Sequence, residues 1–190
     1  MAAKPAAKND GFSILLLIGA ILILLSLYFN ITTSRQLTAR GGLAVGQQAP
    51  LIQAEGWMQN PSDQPISYEG KLTVINAWAT WCAPCYHHAP EIVELRNQFA
   101  DDPEVQFLSM TSNNSEQLEI IEKWLAETGW DWPNAYGAEQ AFFDFEARYI
   151  PGMWIVDPSG KIIWNRASSE DPHHVLQETL QAMHVVNSTQ

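Results

Sequence analysis

The chain has 190 residues, 46% hydrophobic and 16% charged, which suits one ordinary domain plus an accessory segment and excludes a disordered chain. A net charge of −11 argues against a nucleic-acid binder, which needs a basic patch or stripe. Its two cysteines stand three positions apart, too few and too close for a structural disulfide framework, so the pair serves redox chemistry or binds metal.

Residues 1–11 carry Lys4 and Lys8. From Phe12 to Phe29 no residue is charged, and Ile, Leu and aromatics dominate. At 1.5 Å per helical residue the run spans about 27 Å, close to the roughly 30 Å hydrocarbon core of a bilayer. Residues 12–30 therefore read as a single transmembrane anchor. A cleavable signal peptide is the rival, but its apolar region runs only about 7–15 residues and ends at a small-x-small site. No such site follows directly here. Lys4, Lys8 and the amino terminus, set against Arg35 and Arg40, place residues 1–11 in the cytoplasm and the remainder outside. Residues 31–45, polar and containing Gly41-Gly42, read as a flexible linker. Residues 46–190 form the folded domain.

Leu72 to Trp78 is a nearly continuous apolar run, as for a strand buried on both faces. A helical pattern follows, with Cys85, Ala89, Ile92, Leu95 and Phe99 on one face and Pro90 inside it. Val105 to Met110 predicts a second strand. Asn114, with Gln117 three residues on, predicts a capped helix whose buried stripe is Leu118, Ile121 and Leu125. Ala138 to Arg148 predicts a shorter helix. Met153–Val156 and Ile162–Trp164 predict strands joined through Asp157-Pro158-Ser159-Gly160. Asp171 as N-cap and Pro172 as first residue open a last helix, with Leu176, Leu180 and Met183 inward. Such alternation gives an α/β fold, a mixed sheet flanked by helices, with the hairpin adding antiparallel edge strands.

Trp81-Cys82-Ala83-Pro84-Cys85 lies between the first strand and its helix. Cys82 falls at the helix N-terminus, where free backbone N–H groups and the helix dipole favour a thiolate and make it a nucleophile. Cys85, one turn on, is placed to resolve a mixed disulfide, and Pro84 is expected to give a rigid turn between them. The same spacing holds metal in other settings. A four-coordinate zinc site, however, shows a second Cys or His pair, and the sequence contains none at knuckle spacing. His87 and His88 follow the motif; they are exposed helix residues, or one of them tunes the dithiol or joins it on a metal. Of the eight tryptophans, Trp81 is expected at the rim of the site and Trp57, Trp124, Trp130, Trp132, Trp154 and Trp164 in the packing.

The stretch Asn76-Ala77-Trp78-Ala79-Thr80-Trp81-Cys82-Ala83-Pro84-Cys85, with Pro90 five residues after the second cysteine, resembles the active site of the thioredoxin superfamily. Within it, the chain resembles the TlpA/ResA-like membrane-anchored disulfide oxidoreductases. Ile150-Pro151, ahead of Asp157-Pro158-Ser159-Gly160, is similar to that family's cis-proline, strand and turn. The likeness covers roughly residues 45–185. It implies a thioredoxin fold, a cis Pro151 beside the cysteines, and an Ile150 backbone offered to an incoming peptide. Departures are Tyr149 for a small residue, Gly152 for the usual Thr, His88 for a Glu of many relatives, and Asn76 for a buried Asp.

The expected function is thiol–disulfide exchange by Cys82 and Cys85, with Trp81, Ala83, Pro84, His88 and Asn76 shaping the pair and Ile150 and Pro151 forming the substrate groove. No cofactor or metal is expected beyond the redox-active disulfide. Expected partners are disulfide- or dithiol-containing proteins and a membrane thiol electron donor. The expected location is a bacterial inner membrane, with the domain on the periplasmic or extracytoplasmic side. Ala-Pro between the cysteines resembles the Gly-Pro of reductants. The alternative is a copper metallochaperone holding Cu(I) by Cys82, Cys85 and a nearby His.

Overall fold

The computed structural model describes residues 11–60 and 66–187, apart from the side chains of 11–13, 31–40 and 186–187. The chain divides into two compact units between Leu37 and Thr38. Helix α1 spans Gly11–Gly41. Every large apolar side chain described in it, from Ile14 to Phe29, is exposed. Among the described residues, no helix is long and apolar enough to cross a membrane. The stretch 1–10 with Lys4 and Lys8 lies outside the described residues, and the side chains of Arg35 and Arg40 are likewise outside. Residues 31–41, whose composition suggests a flexible linker, continue α1 as helix. No proline or glycine interrupts 31–40, so the helix propagates until Gly41-Gly42, where Gly42 takes φ +72°.

The second unit is built on strand β2 (Leu72–Trp78), all seven residues of which are buried. β2 pairs in parallel with β3 (Val105–Thr111) and antiparallel with β5 (Gly152–Val156). The hairpin through Asp157 brings β6 (Ile162–Asn165) against β5. On the far side β4 (Asn134–Tyr136) runs parallel to β3, and β1 (Gly56–Met58) closes that edge antiparallel to β4. The sheet order is β1-β4-β3-β2-β5-β6. The expected strands are all present. β1 and β4 were not expected: at three residues each they are too short for a period-2 pattern to show.

β2 divides its side chains between two cores. Leu72, Val74 and Trp78 join the cluster under α2 (Ala83–Gln98), α3 (Leu118–Thr128) and α5 (Pro172–Asn187). Ile75 and Ala77 face the other cluster, with α4 (Glu139–Asp144) and the segment leading into the sheet. The expected inward stripe of α2 is buried throughout. Asn114 forms a full capping box with Gln117, though the first turn after it is a 3-10 helix, Ser115–Gln117. In α5 the Asp171 carboxylate accepts the His173 N–H at 2.8 Å, as expected of an N-cap. α4 is shorter than the expected 138–148, because Glu146 adopts φ +50° and the chain leaves the helix.

The lead-in segment is tied to the sheet ahead of residue 46. Leu43 N–H donates to the Phe145 carbonyl, and Gly46 N–H to that of Ile162, both at 2.8 Å.

Candidate active site

β2 ends at Trp78, and a tight turn follows in which Cys82 N–H donates to the Ala79 carbonyl at 3.0 Å. Cys82 is the N-cap of α2, with extended backbone, and its Sγ accepts the Cys85 N–H at 3.1 Å. This backbone donor, at the positive end of a helix, is the group that would stabilise a Cys82 thiolate. Cys82 and Cys85 are joined in a disulfide, Cα atoms 5.2 Å apart. They are 4% and 2% exposed, so both sulfurs are nearly covered in the oxidised form. Pro84 does not form a separate turn between them. It lies with Ala83 in the first turn of α2, where its missing N–H forfeits no helical bond.

The Ile150–Pro151 bond is cis. Gly152 opens β5 opposite Ala77 of β2, so the proline loop and the cysteine loop leave neighbouring strands at the same end of the sheet. Ile150 packs against both cores. Around this end Trp81 (71%), Tyr86 and Tyr149 (61%) are exposed. Asn76 is buried on β2, and its side-chain Nδ2 has no hydrogen-bond partner.

His88, expected as a tuning residue, points into a different set of contacts. Its Nδ1 pairs with the Glu91 carboxylate and its Nε2 meets the Arg166 guanidinium at 2.6 Å. Burial, with Arg166 beside it, lowers the His88 pKa, against an upward pull from Glu91. These residues line a groove of about 940 Å³ whose apolar wall includes Met153 and Trp164. His87 remains exposed, edge-on to Tyr86 at 6.4 Å.

Asn113 has no counterpart in the sequence expectations. It is 2% exposed at the end of β3. Its Oδ1 accepts the Thr80 N–H at 2.9 Å and the Thr111 hydroxyl at 2.8 Å. Its Nδ2 donates to the Thr80 hydroxyl at 2.9 Å and to Gln117 Oε1 at 3.0 Å. A polar residue in a loop, 33 positions from Thr80, gives no periodic signal, and only the β2–β3 register brings the two together.

A cysteine pair joined as a disulfide at a helix N-terminus, with a cis-proline at the same end of a mixed sheet of this order, defines a thioredoxin-like protein. Residues 44–180 match the Redoxin family, and the chain belongs to it, with similarity to ResA-type thioredoxin-like proteins. It is 27% identical over 122 residues to the thioredoxin-like protein YneN of Bacillus subtilis, covering 64% of this chain and 70% of that one. It is 28% identical over 129 residues to the thiol-disulfide oxidoreductase ResA of Geobacillus thermodenitrificans, covering 66% and 70%. The fold matches the thioredoxin domain of a thiol-disulfide oxidoreductase from Bacteroides vulgatus with a TM-score of 0.60 at 20% identity, over 72% of this chain and 97% of that one.

Proposed function

We propose that this chain is a protein-disulfide oxidoreductase that reduces disulfides of extracytoplasmic proteins while held at a bacterial inner membrane by residues 12–30. One observation carries the reading: the Cys82–Cys85 pair caps α2, with Cys82 Sγ on a helix-terminal N–H. In the reduced form Cys82 attacks one sulfur of a substrate disulfide, and the other substrate sulfur leaves as a thiolate. The Cys85 thiolate then attacks Cys82 Sγ, releases the second substrate thiolate and closes the Cys82–Cys85 disulfide. Two electrons have passed to the substrate, and a membrane thiol donor returns them. The pair itself is the redox centre, with no other cofactor. The exposed Trp81, with the half-buried Ile150 and cis-Pro151, supplies the groove for the substrate peptide, and Ala83, Pro84 and Asn76 hold the pair in shape.

The anchor is supported by the uncharged run from Phe12 to Phe29 and by the exposure of the described apolar side chains of α1. The division of the molecule is proposed as 1–11 inside, 12–30 in the bilayer, 31–45 connecting and 46–190 catalytic. The reducing direction is supported by the Ala-Pro dipeptide. Reduction of insulin by the chain, lost in Cys82→Ser, tests the activity; turnover that survives the substitution would end this reading. Equilibration with thiol buffers tests the direction: a potential near about −270 mV marks a reductase, and one near about −120 mV an oxidant.

The copper alternative takes a histidine beside the cysteines. His88 has both ring nitrogens engaged by Glu91 and Arg166, which leaves the exposed His87 as its candidate. Stoichiometric copper retained by the reduced chain would favour the alternative.

A further inference from the structure

We propose that Asn113 is a positioning residue for the dithiol, setting the reactivity of Cys82 through Thr80. The inference deepens the oxidoreductase reading and rests on it for its functional meaning. β2 ends at Trp78 and α2 begins at Ala83, so residues 79–81 belong to no strand ladder and no helical ladder. They form a turn closed by the bond from Cys82 N–H to the Ala79 carbonyl. Thr80 is the first corner of that turn, Trp81 the second, and Cys82 its last residue. Asn113 grips the first corner at two points, accepting the Thr80 N–H and donating to the Thr80 hydroxyl, each at 2.9 Å.

The grip is itself braced. The remaining capacity of the Asn113 amide is taken by Thr111 and Gln117, and the Asn113 carbonyl accepts the Gly137 N–H at 2.6 Å. Asn113 N–H donates to the Thr111 hydroxyl at 3.2 Å. A buried amide with every site used has one orientation, because any other leaves buried polar groups unpaired. The corner it fixes is two residues from Cys82, whose Sγ must stay within reach of the Cys85 N–H for the helix terminus to stabilise a thiolate. Losing the grip frees the turn, weakens that contact on average and raises the Cys82 thiol pKa.

The test uses the full chain in detergent, reduced, with the rate of Cys82 alkylation by iodoacetamide followed against pH by mass spectrometry. No Lys or Arg separates the two cysteines, so they share one tryptic peptide, and fragment ions that part Cys82 from Cys85 locate the label. Asn113→Ala is expected to move the Cys82 profile to higher pH and to slow alkylation at neutral pH about 3- to 10-fold. Thr80→Val, which keeps the backbone bond, should shift it less in the same direction, and Thr80→Ser should retain the parent profile. The double variant Asn113→Ala/Thr80→Val should go no further than Asn113→Ala, because the bond that Thr80→Val removes is one of the two that Asn113→Ala already removes. A lowered melting temperature with an unchanged Cys82 profile would make Asn113 a purely structural residue and overturn the proposal. If Asn113→Ala does not fold, Thr80→Val decides alone, and an unshifted profile overturns it. Alkylation needs no partner protein, so a parent chain inactive on insulin would refute the oxidoreductase reading without touching this measurement.

Discussion

At His88 burial and two charged neighbours decide the charge. Burial and the Arg166 guanidinium disfavour the imidazolium more than Glu91 favours it, so the folded pKa lies below the unfolded value of about 6.5. On acidification the unfolded chain takes up this proton first. The stability that His88 contributes as a neutral ring is thus present above about pH 6.5 and is lost as the pH falls toward and through the folded pKa. His88→Gln should flatten the decline of unfolding free energy between roughly pH 7 and pH 5. Urea melts across that range check it, and a slope equal to the parent's contradicts it. Two buried tryptophans make a second residue-level comparison. Trp132 Nε1 donates to the buried Ser109 hydroxyl at 2.7 Å, whereas Trp124 Nε1 has no partner. Trp132→Phe should therefore cost more than Trp124→Phe by about 1 kcal/mol or more, since it strands a buried hydroxyl. Equal losses in denaturant melts would count against that account.

Among the elements, the segment leading into the sheet is closely packed at Gly42. A Cβ on Gly42 would meet Trp154 Cζ2 at 2.5 Å and the Phe145 carbonyl at 2.7 Å, at φ +72°. At Gly46, φ +91°, the same atom would meet nothing within 4 Å. Gly42→Ala should lose about 2 kcal/mol or more, and Gly46→Ala only the roughly 1 kcal/mol of its backbone conformation. Thermal melts that rank them the other way would show that the lead-in is not packed on Trp154 as described. The long elements were legible from sequence because burial on both faces of β2 and the 3.6-residue stripes of α2, α3 and α5 leave strong patterns. The site's centre was legible too, since its chemistry is local: two cysteines at a helix start. β1 and β4 were not, being strands of three residues: β4 is placed by its pairing with β3, and β1, at the edge, by its pairing with β4. The Asn113–Thr80 clamp and the His88–Arg166 contact were also hidden, because each joins residues far apart in the chain through the sheet register.

At the scale of the whole molecule, the chain divides into two compact units between Leu37 and Thr38. If residues 12–30 span a bilayer, the full chain should stay in the membrane pellet through alkaline carbonate extraction. A chain starting at Thr38 should be soluble, with a Cys82–Cys85 potential within about 10 mV of the parent, far below the roughly 30 mV that tenfold in equilibrium requires. Release of the full chain by carbonate would remove the anchor from the reading and leave the redox chemistry intact.

The indoles of Trp78 and Trp124 lie nearly face to face, centroids 3.8 Å apart and planes 22° from parallel, with Trp130 edge-on to both. Two strong ultraviolet transitions held so close share their excitation, and a fixed skew between them gives paired circular-dichroism bands of opposite sign. The protein therefore carries an optical gauge of the seating of α3 on β2, read without any label. That gauge responds to the separation of two rings and not to helix content, so α3 leaving the sheet would erase it while the helix itself stayed wound.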